Sequence, residues 1–248
     1  MAGSGSKAVI LLHETPLSAR SYLPTIALLK SEFRVVAFDN PGYGASAPPP
    51  KPTVAAYAEI LWQAIDTLGL ERVVIAGIHT GVAIAIALAA RAAGHRTKIA
   101  GFVFSGIPLI PAERRAALAP FMADRRGRTD DEAVLFGWHD RAKRWYRAPR
   151  ELLLQAMTDE LAVFERRDWG LEAVLAYDLE REAKAVTAPV LVVNGRHDSL
   201  SAVDAAEAKR LFPTCELKIL EDRGGQLQWT FAAEYADHIA RFAKPLLR

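Results

Sequence analysis

The sequence predicts the α/β class: a parallel sheet of about six strands, helices on both faces, and a helical insertion after the fourth strand. Three observations lead there. Short β-branched runs alternate with stretches of helical spacing along most of the chain. Several runs are apolar throughout, as in strands buried on both sides of a parallel sheet. The alternation fails only at 108–186, a segment of helical pattern, dense in arginine and tryptophan, with no strand-like run. The core is therefore expected over 1–107 and 187–248, with 108–186 as a cap.

In order, 7–12 (KAVILL) reads as the first strand, and 19–30 as a helix with Ser18 as its N-cap. The next strand, 33–38, is broken by the turn residues of 39–44, and the proline-rich 47–52 is an extended loop. Thr53 caps a helix running to about Leu68, with Ala56, Ile60 and Ala64 on one stripe. The central unit follows: Val73-Val74-Ile75 as strand, a tight turn Gly77-Ile78-His79-Thr80-Gly81, then an Ala/Ile/Leu helix. Further strands are expected at 99–105, 188–194 and 216–220, and a closing helix at 230–242. The first strand and the 73–75 strand should be neighbours, because the strand between them crosses to the other side. His13, Glu14, Thr15, His79 and Thr80 then line one crevice at the carboxyl ends, where open α/β sheets bind ligands.

Composition sets the bounds. A chain of 248 residues, 51% hydrophobic, can bury one large core. Its 31 basic and 29 acidic residues nearly balance, which excludes a basic field for nucleic acid. The single cysteine, Cys215, excludes an internal disulfide and fits a reducing cytoplasm. No apolar run is long enough to cross a bilayer, and the leader 1–6 reads as a flexible end or cloning scar. A small-molecule partner and a monomer or homodimer are expected.

Several segments resemble the α/β-hydrolase superfamily. The turn at 77–81 is similar to its nucleophile elbow, G-x-S-x-G, with His79 where that family has serine. Leu11-Leu12-His13-Glu14-Thr15-Pro16 looks like L-L-H-G-x-P, and 39–46 like D-x-x-G-x-G-x-S. The stretch 189–198 (PVLVVNGRHD) resembles the strand and turn that deliver the triad acid, which implies that role for Asp198. The stretch 223–229 (RGGQLQW) resembles G-H-x-x-x-W, the histidine segment, with Gly225 in the histidine's place. The family also begins with two further strands. The resemblance thus implies the fold, a cap over the site, and oxyanion-binding amides at Thr15 and Thr80, on a degenerate triad.

A serine mechanism needs an activated hydroxyl beside a carboxylate-held imidazole, and the matching positions here do not supply one. An imidazole reaches about 2 Å further than a serine hydroxyl, so His79 can extend toward the space at Gly225 and toward Asp198. Its natural pKa suits acid/base work. Glu14, in an apolar crevice, is a second candidate acid or base. His13 is read as a buttress of its loop. Trp138, His139 and Gln226 are expected beside the substrate, although the cap aromatics have packing as their bland reading. Arg114, Arg115, Arg125, Arg126 and Arg128 read as a solvated face, with an anionic substrate as the alternative. His197 beside Asp198 lacks a helical ligand spacing, so neither metal nor cofactor is expected. Three functions stand: a cofactor-free lyase, dehydratase, isomerase or cyclase; a non-catalytic pseudo-hydrolase; and a hydrolase with a histidine nucleophile or an engineered elbow.

Overall fold

A computed structural model describes residues 1–110, 112–198 and 205–248. Six strands, β1 (Lys7–Leu12), β2 (Arg34–Phe38), β3 (Arg72–Ile78), β4 (Lys98–Ser105), β5 (Val190–Gly195) and β6 (Glu216–Leu220), form one sheet in the order β2-β1-β3-β4-β5-β6. Every strand pairing is parallel. Side chains alternate across the sheet even where a strand is wholly apolar. Ala8, Ile10 and Leu12 of β1, with Val73 and Ile75 of β3, enter one core layer; Val9, Leu11, Val74, Ala76 and Ile78 enter the other.

The first layer is covered by α2 (Val54–Thr67) and α3 (Thr80–Ala90), the second by α1 (Leu23–Leu29) and, at the end of the chain, by the helix over Ala232–Leu246. Thr53 caps α2 as expected, accepting from the Ala56 amide at 3.1 Å. The helix expected at 19–30 is split: a 3-10 turn, Ala19–Tyr22, precedes α1, whose first turn contains Pro24. The leader is not simply free, since the Ala2 amide donates to the Val35 carbonyl at 2.9 Å and Val35 donates back at 2.7 Å.

Between β4 and β5 lie α4 (Ala112–Gly127), α5 (Asp130–Arg144), α6 (Arg150–Ala162), α7 (Trp169–Leu175) and α8 (Leu179–Ala183). No strand interrupts them among the described residues. After β5 come α9 (Ala205–Leu211), then β6, and the closing pair α10 (Leu227–Thr230) and α11 (Ala232–Leu246). The closing helix expected at 230–242 is α11, which runs on to Leu246, whereas the short α10 before it and α9 were not legible in the sequence. Among the described residues no helix is long and apolar enough to cross a membrane.

Helix α3 is buried over nearly its whole length, which explains why Val82 to Leu88 carry no polar stripe. Its start is pressed against β1. A Cβ added at Gly81 would collide with the Leu12 carbonyl oxygen, and one at Gly77 would lie 2.6 Å from the Gly81 oxygen. Two glycines therefore let the strand-turn-helix unit close tightly, and that closure brings His79 beside the loop after β1. Gly81→Ala is expected to lower stability by about 1–3 kcal/mol, the usual cost of overpacking, in a denaturant titration. An unchanged midpoint would show that α3 can move away from β1 freely.

Candidate active site

His79 stands between β3 and α3 at φ 47°, ψ −111°, a left-handed φ that is uncommon for a residue with a Cβ. Its amide donates to the Ser105 carbonyl at 2.9 Å, and its carbonyl accepts from Val82 at 2.9 Å. The bend is held at both ends and throws the side chain up over the carboxyl edge of the sheet.

The ring meets a carboxylate at each nitrogen. Nδ1 lies 2.8 Å from Oε2 of Glu14, and Nε2 lies 2.9 Å from Oδ2 of Asp198. The side chains of all three residues are at most 8% exposed. The imidazolium is the form in which both ring nitrogens donate to ionised carboxylates. Burial by itself disfavours that cation, but the charges of Asp198 and Glu14 and their hydrogen bonds outweigh it and hold the His79 pKa well above 6.5.

The surroundings make room for this ring. Gly106, at φ +65°, lies flat against it, and a Cβ there would collide with the imidazole and sit 2.9 Å from Asp198 Oδ2. Its amide donates to Asn194 Oδ1 at 2.8 Å, so β5 fixes the glycine that borders the ring. Gly225 backs Asp198, where a Cβ would lie 2.7 Å from the carboxylate carbon. The position of Gly225 thus has no room for a Cβ beside the acid.

Glu14 sits on a loop with little freedom. The Asn40 amide donates to His13 Nε2 at 2.8 Å, so that nitrogen must accept, and Nδ1–H donates to the Glu14 carbonyl at 2.8 Å. Burial lowers the His13 pKa and keeps this ring neutral. Asn40 Nδ2 donates to the His13 carbonyl, and the Leu17 amide to the Glu14 carbonyl. Gln228 of α10 reaches the free side of the carboxylate, with Nε2 at 3.4 Å from Oε1.

Above these groups lies a cavity of about 400 Å³. Glu14, Thr15, His79 and Thr80 form its floor; its upper wall comes from α4, α5 and α7, with Phe121, Trp145 and Leu171 among the apolar contributors. The Thr15 and Thr80 hydroxyls are 3.0 Å apart. Thr80 opens α3, so its amide has no carbonyl partner within the helix and stands at the positive end of the helix dipole. A wider, shallow basin at the opposite end of the sheet, around Asp66 and His95, is remote from these groups.

The other candidates are placed differently. Trp138 packs against the small cluster of Leu17, Trp145, Leu152, Leu153 and Ala156, and His139 is exposed; of the two tryptophans, Trp145 lines the cavity. Gln226 is buried as the residue before α10, its carbonyl accepting from Thr230; the helical turn points Gln228 at Glu14 in its stead. Arg125 does not belong to a solvated face. Its side chain is 14% exposed and lines the cavity. Arg115 is exposed and Arg128 pairs with Asp124, whereas the side chains of Arg114 and Arg126 lie outside the described residues. His197 stacks on Tyr146, and among the described residues no three potential ligands group as a metal site.

Two outcomes follow from this geometry. In a pH titration followed by nitrogen NMR, His79 is expected to remain imidazolium through neutral pH. Because its folded pKa is raised, the stabilisation it brings is complete below 6.5 and is lost as pH rises through the folded value; a midpoint at or below 6.5 would contradict the double carboxylate contact. Serine-directed fluorophosphonates should leave the elbow peptide unlabelled, since Thr80, the neighbouring hydroxyl, lies off the apex. Stoichiometric modification there, mapped by mass spectrometry, would contradict that placement.

Comparison with known proteins agrees with the architecture. The sequence profile of the alpha/beta hydrolase fold matches residues 7–230. The AB hydrolase superfamily protein YisY of Bacillus subtilis (strain 168) is 28% identical over 229 residues, spanning 85% of this chain and 82% of that protein. A bromoperoxidase from Bacillus anthracis superposes with a TM-score of 0.83 at 19% identity, covering 98% of this chain and 93% of that one. The enol-lactonase from Burkholderia xenovorans LB400 gives 0.79 at 23% identity, covering 98% and 94%. At such identities these structures share the fold alone. With its profile match running through β1 to β6, the chain belongs to the alpha/beta hydrolase fold family.

Proposed function

We propose that this chain is a cofactor-independent enzyme in which Glu14, His79 and Asp198 move a proton on a small carbonyl-bearing substrate with an apolar or aromatic body. The observation that carries this reading is the contact of both His79 ring nitrogens with carboxylates directly beneath a cavity. In this reading, 1–107 and 187–248 form the core, 108–186 caps the site, and the triad is degenerate, with His79 at the nucleophile position and Gly225 at the histidine position.

The roles follow from the protonation chemistry. An imidazolium that donates at both nitrogens has no lone pair for attack, which argues against a histidine nucleophile. Glu14 lines the cavity and is the group that takes a proton from carbon next to the substrate carbonyl. His79, hydrogen-bonded to Glu14 and backed by Asp198, steadies the carboxylate and supplies or receives a proton as the charge moves. The negative charge that develops on the carbonyl oxygen is met by the Thr15 and Thr80 amides. Return of the proton to another carbon makes the reaction an isomerisation. Expulsion of a leaving group β to the carbonyl, which departs with the proton, makes it an elimination. Attack of the enolate carbon on an electrophilic carbonyl of the same substrate, whose oxygen takes up the proton, makes it a cyclisation.

A non-catalytic binder is the second reading, favoured by the same locked ion cluster, which also serves as a rigid floor under a pocket. Exchange separates the two. Aryl ketones and keto acids incubated in D2O are expected to lose their α-proton NMR signals faster with the protein than without it. Glu14→Gln and His79→Ala are expected to slow that exchange by about 10²–10⁴-fold, the range for removing a general acid or base. Exchange equal to the buffer rate across the panel, or undiminished in a folded Glu14→Gln variant, would leave the binder.

A further inference from the structure

The upper wall of the cavity carries charge that the proton-transfer reading leaves unused. Arg125 of α4, Arg141 of α5 and Arg167, just before α7, all line it. Their side chains are only 14%, 8% and 13% exposed. The three converge on one carboxylate, Glu160 of α6. Arg141 Nη2 pairs with its Oε2, Arg125 Nη2 lies 3.4 Å from Oε1, and Arg167 Nε lies 3.9 Å from the same oxygen. Asp168 takes Arg125 at 2.9 Å and Arg167 at 3.9 Å. Three guanidiniums therefore share two carboxylates, and among these described groups one positive charge is left over. The other cavity arginine, Arg144, is matched by Asp140 one turn away and adds no net charge.

A buried charge without a counter-ion is costly, and the cost is relieved when an anion completes the set. Arginine suits that task, because its planar fork matches a carboxylate with two parallel hydrogen bonds. The opposite wall works the other way. Glu14, with its carboxylate at the cavity floor, repels a second anion at that end, and so the two walls orient a ligand. Phe121 and Leu171 supply apolar surface in the same cavity.

We infer that the cavity takes a ligand bearing a carboxylate or comparable monoanionic group, seated against Arg125, Arg141 and Arg167, with its apolar body directed toward Glu14. This rests on the cavity being the substrate site of the reading above, but it concerns binding and is measured without turnover.

Phenylacetate, phenylpropionate and phenylbutyrate, each compared with its neutral primary amide by calorimetry, are the probes. At least one acid is expected to bind about 10- to 100-fold tighter than its amide, the worth of a charge-assisted hydrogen bond in a desolvated site. Arg125→Gln, checked for folding by circular dichroism, should bring acid and amide close to parity. Equal affinities, tighter amides, no detectable binding of any acid, or an undiminished preference in folded Arg125→Gln would each overturn the inference. Should Arg125→Gln fail to fold, the acid-to-amide comparison in the unsubstituted protein still decides it. A preference for the acid without proton exchange would retain this inference and remove the enzymatic reading; exchange without the preference would do the reverse.

Discussion

The site depends on one buried cation between two buried carboxylates. His79 alone in this position would be driven toward its neutral form by desolvation, and Glu14 and Asp198 alone would be two desolvated acids near one another. Together they satisfy most of one another's demand for charge and hydrogen bonds. Removing one partner from such a set typically costs about 3–5 kcal/mol, because it strands a charge that the fold has already desolvated. The loop after β1, the elbow after β3 and the turn after β5 are therefore tied through a single imidazole.

The backbone is fitted closely to that ring. Gly106 borders the imidazole on one side and is held by Asn194, while Gly225 leaves Asp198 the room that a Cβ would take. Glu14 is a carboxylate within hydrogen-bond reach of Nδ1, on a loop braced by His13 and Asn40. These residues come from β5, from the loops after β1, β2 and β4 and from the segment before α10, and they all pack around one ring and its two carboxylates. Such agreement between distant parts of a chain is what a specified site looks like.

Much of the fold was legible because its signals are local. The apolar runs at 7–12 and 73–78, the Thr53 cap and the Gly77–Gly81 turn each act within a few residues, and the order of crossovers leaves little choice of topology. The grouping of Glu14 with His79 followed from the same order, since neighbouring strands must bring their ends together. Other features were hidden because tertiary contact decides them. Whether Gln226 or Gln228 faces inward depends on where the short α10 begins, and the sequence carries no strong cap there. Arg125, Arg141 and Arg167 look like any solvated arginines until α4, α5 and α7 fold over Glu160. Trp138 and Trp145 pack in one small cluster, yet Trp145, at the residue that ends α5, is the one of the two that also lines the cavity.

A bridged imidazolium makes Glu14 and His79 one coupled unit rather than two buried residues that happen to touch. A double-mutant cycle on folding stability at neutral pH, with Glu14→Gln, His79→Gln and the pair, measures that coupling without requiring a substrate. The predicted result is an interaction of about 1–3 kcal/mol, the double variant being less destabilised than the sum of the single ones. Additive losses, agreeing within about 0.5 kcal/mol, would contradict the bridged imidazolium and the proton-transfer site built upon it.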